Sequence, residues 1–140
     1  MTNRLLHLAA VLSLAAFSTS AMADSHAVGD ATKGEKVFKK CAACHAVGEG
    51  AKIKVGPPLT DVVGRKAASF EGYKYGKSII AAGEAGLVWS EEELADYLTN
   101  PKKYLRAKLE DKKAKSKMAF RLKKEMDRAN VIAYLKSLGN

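Results

Sequence analysis

The sequence predicts an all-α fold, one small domain of several helices and loops. Three observations carry that expectation. Apolar residues recur at helical spacing in separate patches, while alternating strand patterns are too weak for a sheet of any size. Glycine-bearing and lysine-rich loops join the patches, and there is no internal repeat. The length of 140 residues suggests one domain, and a composition 47% hydrophobic and 28% charged argues against a disordered, fibrous or low-complexity chain.

Residues 1–23 read as an export signal: Arg4 opens a short basic segment, 5–17 is apolar apart from His7 and Ser13, and Ala21-Met22-Ala23 is a small-residue cleavage pattern. Cleavage between Ala23 and Asp24 is expected, leaving 24–140 as the mature domain. A retained anchor is the competing reading, and the segment is short for a membrane span. The formal charge of +9 becomes +8 once Arg4 is removed. A mature chain this small has limited apolar area to bury, so a bound cofactor would help it fold.

The first helix is expected over about residues 32–43, with the Asp30 carboxylate capping its open amides and Val37, Phe38 and Cys41 on one face. The glycines 48, 50, 56, 64, 72 and 76, with Pro57 and Pro58, then mark turns, broken by one short helix at 77–82. Another helix starts at Ser90, where Ser90 and Glu93 form a capping box and Leu94, Tyr97 and Leu98 an apolar stripe. Pro101 ends or redirects it. The last helix occupies about 123–138, with Met126 on its core-packing face and Gly139 as its left-handed terminator.

The chain has two cysteines, in Cys41-Ala42-Ala43-Cys44-His45. An exported cysteine pair would ordinarily form a disulfide, but this spacing is the attachment signature of c-type haem. On a helical turn residues three apart project to one side, so each thiol can add to one haem vinyl group while His45 supplies the imidazole under the iron. A thioredoxin-like pair would need a strand before it, and the flanking residues look helical instead. A structural zinc site would need more ligands than two Cys and one His.

A second axial ligand can be sought by elimination. His7 leaves with the signal and His26 lies near the new terminus; Met1 and Met22 also depart, so Met118 and Met126 are the thioethers that remain. Met126 sits in a helical repeat and reads as packing, whereas Met118 lies in a basic stretch that can bend toward the metal. Met118 is therefore the expected partner of His45 on the iron.

These residues, with Gly34, Phe38, Gly56-Pro57, Gly64-Arg65-Lys66, Tyr73, Tyr75, Trp89, the run Tyr97-Leu98-Thr99-Asn100-Pro101-Lys102-Lys103-Tyr104 and Ile132-Ala133-Tyr134-Leu135, resemble class I cytochrome c in its mitochondrial-like bacterial form. The resemblance covers nearly all of 24–140 and implies the class I fold, several helices and loops around one haem c attached through Cys41 and Cys44. It also implies that the Pro57 carbonyl takes the proton of the His45 ring, that Arg65, Tyr75 and Trp89 attend the haem propionates, and that Tyr97 lies beside the Met118 sulfur. From the residues alone, the aromatic side chains are equally compatible with core packing. The stretch 106–117 is longer and more charged than in the animal form, resembling the inserted loop of some bacterial members. Its Lys113, Lys115 and Lys117 are close enough in sequence for one to replace Met118 at high pH.

With both axial positions taken, electron transfer is the expected function rather than oxygen or peroxide chemistry. A small peroxidase or nitric oxide handling protein is the enzymatic alternative and would need an open sixth site. The resemblance implies a periplasmic monomer that takes electrons from a membrane cytochrome bc complex and gives them to a photosynthetic reaction centre or a terminal oxidase. Lys40, Lys52, Lys54, Lys102, Lys103, Lys123 and Lys124 match the family's docking positions, although any one of them can be plain solvated surface. Nucleic acid is a poor rival for an exported basic chain.

Overall fold

The computed structural model describes residues 27–139; the expected export signal, its cleavage point and His26 lie outside them. Five helices are described: α1 (Ala31–Phe38), α2 (Lys77–Glu84), α3 (Glu91–Thr99), α4 (Pro101–Lys108) and α5 (Glu125–Ser137). The all-α expectation is borne out, since the described residues hold no strand and only one isolated bridge, Lys66 to Val88.

The Asp30 side chain caps α1 as expected, accepting from the Lys33 amide at 3.0 Å. The α-helix is shorter than expected, because after Phe38 the chain tightens into turns, Lys40 N–H donating to Val37 O at 3.0 Å and Cys44 N–H to Cys41 O at 3.0 Å. α1 crosses α5 at backbone distance: a Cβ on Gly34 would sit 1.9 Å from Asn130 O. The Asp30 amide donates to Asn130 Oδ1 at 2.8 Å, and Phe38 and Tyr134 meet with ring centroids 5.6 Å apart. Asn130, Val131, Ile132 and Leu135 form the buried face of α5.

Ser90 caps α3 by accepting from the Glu93 amide at 3.1 Å. Pro101 redirects the chain rather than simply stopping it. Asn100 closes α3 and opens α4, its Oδ1 accepting from the Lys103 amide at 3.1 Å, and Pro101 occupies the first helical position, where no amide proton is needed. Residues 106–108, the start of the charged stretch 106–117, belong to α4.

Two further expectations fail at the C-terminal end. α5 fills most of its expected span, but Gly139 is not among the positive-φ glycines, the helix closing instead through Leu138 N–H to Leu135 O at 3.3 Å. Met126 is 53% exposed, so it is surface and not core. The core lies between α1, α3, α4 and α5, with Leu105, Val131 and Pro101 its largest fully buried side chains. No helix among the described residues is long and apolar enough to cross a membrane.

Candidate haem site

The turns after α1 keep the Cys41 carbonyl under two amides, those of Cys44 (3.0 Å) and His45 (2.9 Å), so the pentapeptide is folded back on itself. Cys41, Cys44 and His45 all line one cavity of about 560 Å³. Burial pushes the Cys41 thiol up, with Lys40 pulling against it. Burial also lowers His45, with the Pro57 carbonyl opposing and Lys54 assisting.

A short bridge holds the imidazole. Gly56 N–H donates to Cys44 O at 2.8 Å, and His45 Nδ1 lies 2.8 Å from Pro57 O. A carbonyl can only accept, so Nδ1 carries the proton and Nε2 is left as the lone-pair nitrogen. Gly56 makes room for this, because a Cβ there would lie 2.3 Å from His45 Cε1.

Met118 reaches the same cavity from the irregular chain after α4, half-buried against the core. Three contacts position its approach: Arg106 Nε donates to Ala114 O at 3.2 Å, Lys115 N–H to Ser78 Oγ at 3.0 Å, and the Ser116 and Tyr97 hydroxyls lie 3.4 Å apart. Lys117 Nζ donates to Lys74 O and lies 5.6 Å from the Tyr73 ring centroid.

Tyr75, Trp89 and Tyr97 line the cavity too. Gly64 N–H donates to Trp89 O at 2.8 Å and Trp89 N–H to Arg65 O at 2.9 Å, which fixes the Trp89 backbone, and the indole packs on Tyr97 with ring centroids 4.9 Å apart. The Tyr75 hydroxyl accepts from Phe70 N–H at 3.3 Å and still has its own proton to donate. Burial pushes the Tyr97 phenol up, with the Ser116 contact opposing.

Arg65 is not on the cavity wall. Its guanidinium donates to Thr60 O and Pro58 O, both at 3.0 Å, so it braces the loop behind Pro57.

The expected docking lysines divide. Lys40 pairs with Asp127 at 2.9 Å and Lys54 Nζ donates to Ala42 O, whereas Lys52, Lys102, Lys103, Lys123 and Lys124 are exposed and make no ion pair with a described residue. The lysines on the cavity rim are Lys74, Lys115 and Lys117, a set sequence reasoning did not propose for docking. Sequence reasoning also missed Ser78, Ala114 and Ser116, none of which belongs to a recognisable motif.

An apolar cleft of this size, with two thiols and an imidazole on one wall and a thioether on it as well, fits a macrocyclic metal cofactor attached through sulfur. The arrangement defines a c-type haem protein. The family model for cytochrome c matches residues 31–139, and the chain belongs to that family.

It is 50% identical over 111 residues to cytochrome c2 from Pararhodospirillum photometricum, covering 79% of this chain and 98% of that one. The solved structure of cytochrome c2 from Rhodospirillum centenum superposes with a TM-score of 0.77 at 47% identity, over 80% of this chain and all of the other. That of cytochrome c2 from Paracoccus denitrificans gives 0.73 at 45% identity, over 79% and 96%. The chain carries one haem c, bound covalently through its two cysteines, Cys41 and Cys44, and it is an electron-transfer protein, not an enzyme.

Proposed function

We propose that the chain is a periplasmic one-electron shuttle whose haem iron is held by His45 and Met118, loaded by a membrane cytochrome bc complex and emptied by a photosynthetic reaction centre or a terminal oxidase. The observation that carries this reading is that one apolar cavity is lined by His45 and the cysteine pair and also by Met118. When bound, the haem supplies a reversible ferric to ferrous couple, and a thioether ligand sets it toward the positive end of the haem range.

The chain's own residues do the rest. Pro57 orients the imidazole through Nδ1 and makes Nε2 a better donor. The tie between Tyr97 and Ser116 keeps the approach to Met118 short and closed, and the apolar lining excludes water. Tyr75 and Trp89 offer an O–H and an N–H toward haem carboxylates. Arg65 acts behind them by stiffening the proline loop.

The exposed Lys102, Lys103, Lys123 and Lys124, on a mature chain whose formal charge of +9 has fallen to +8 with the loss of Arg4, favour acidic partners. Electrostatic steering speeds encounter and permits quick release.

The test is a redox-resolved visible spectrum of Met118→Ala against the unaltered haem-loaded protein. Loss of the sulfur-to-iron band and a lower reduction potential are expected, with carbon monoxide binding rapidly to the reduced variant and not to the parent. An unchanged spectrum in Met118→Ala sinks the ligand assignment. For the partners, second-order rates with isolated bc complex and reaction centre are expected to fall as salt rises from about 0.01 to 0.15 M, over which the screening length shrinks from about 30 to 8 Å. Salt-independent rates would remove the lysines from the account.

A further inference from the structure

Glu93 does not complete its capping box. Its amide donates to Ser90, but its carboxylate turns away from the Ser90 backbone toward α4. There it accepts from the Tyr104 hydroxyl and from the Lys108 ammonium, one carboxylate holding the middle and the last residue of α4 against α3. The Glu93 side chain is 27% exposed, and the Lys108 ammonium lies 6.0 Å from the Tyr104 ring centroid. A shared, partly buried carboxylate of this kind holds more firmly than an exposed ion pair.

Two routes lead from this clamp to the chain before Met118. Through the ring, Tyr104 stands edge-on to Tyr97 at 5.5 Å and 88°, and the Tyr97 hydroxyl meets Ser116. Through the helix, α4 carries Arg106, whose Nε holds the carbonyl of the buried Ala114.

We propose that Glu93 is a positioning residue for the Met118 thioether: by fixing Tyr104 and Lys108 it fixes α4 and the Tyr97 ring, and these hold residues 114–116 so that the sulfur stays at the cavity. The proposal rests on the reading of Met118 as an iron ligand.

The test uses the haem-loaded full chain and the variants Tyr104→Phe, Glu93→Gln and Glu93→Ala. Two thermal midpoints are followed, loss of the ferric sulfur-to-iron band and loss of far-ultraviolet helicity. In Glu93→Ala and Tyr104→Phe the band is lost at a temperature further below the helical midpoint than in the unaltered protein. Glu93→Gln keeps an acceptor for the tyrosine hydroxyl and widens that margin less. The double variant Glu93→Ala/Tyr104→Phe widens it no more than Glu93→Ala does, because the two residues form one unit. Exchange of the Lys115 amide, which Ser78 holds, speeds up about tenfold, the factor expected for losing one charge-assisted hydrogen bond.

If Glu93 only supports the fold, both midpoints fall together, the margin stays constant and the proposal is overturned, as it is if the Glu93 and Tyr104 effects simply add. If the unaltered protein lacks the band, the ligand reading fails first and this proposal falls with it. Tyr104→Phe removes a single oxygen and keeps the core packed, so the comparison survives even if Glu93→Ala folds poorly.

Discussion

A methyl group is enough to disturb this protein at two places. Gly34 lies on the Asn130 carbonyl, which belongs to a helix backbone and cannot step aside. Gly34→Ala is expected to cost about 3 kcal/mol or more, read as a lower midpoint in guanidinium unfolding. Gly56→Ala is a different kind of injury, because the clash is with the imidazole. It should leave much of the fold in place and move the His45 ring off the Pro57 carbonyl, visible as an altered haem spectrum in the loaded protein. Met126 makes the contrast, since at 53% exposure its replacement by Gln should change stability by less than about 0.5 kcal/mol. The sequence misled at Met126 because helical spacing identifies a repeat without saying which face of the helix meets the core; Val131, Ile132 and Leu135 occupy the buried side. The cysteines and His45 were legible because attachment chemistry is written in local spacing. Arg65 on the proline loop and Ser116 at Tyr97 were not, since each contact depends on where distant chain passes.

At the level of elements, caps decided what periodicity left vague. The Ser90 hydroxyl holds the first turn of α3, and Ser90→Ala should lower stability by about 1 kcal/mol in the same unfolding assay. Asn100 serves two helices at once, and its replacement by Ala is expected to cost a similar amount while loosening α4 selectively, as faster exchange of the Lys103 amide. α4 was hidden because Pro101 reads equally as a stop and as a first helical residue, and Pro101 and Leu105 are its only buried positions, too few for an apolar stripe. The spacing of Val37, Phe38 and Cys41 predicts a longer first helix, whereas the pentapeptide folds into turns that bring both cysteines to one cavity.

For the whole molecule, charge sets the response to pH. Partial burial alone would raise the Glu93 carboxyl, but bonds from Lys108 and Tyr104 outweigh it and hold the group below its ordinary 4.5. Glu93 then binds its proton less tightly folded than unfolded, so its contribution is complete above pH 4.5 and drains away as pH falls through the folded value. Glu93→Gln is expected to flatten the loss of stability below pH 4.5 without abolishing it, since Asp30, held down by the Lys33 amide, titrates in the same direction. A variant that loses stability as steeply as the parent would contradict this. Burial raises the Tyr75 and Tyr97 phenols, so their contribution is complete below pH 10.0 and drains away as pH rises through the higher folded values.

The crossing of α1 on α5 joins the first and last described helices directly. A protease that nicks the exposed stretch at residues 110–113 would sever the Met118 segment from α4, yet leave both fragments clasped at Gly34 and Asn130. The severed halves should still migrate as one species under native conditions, and the two pieces, separated and remixed, should find each other again.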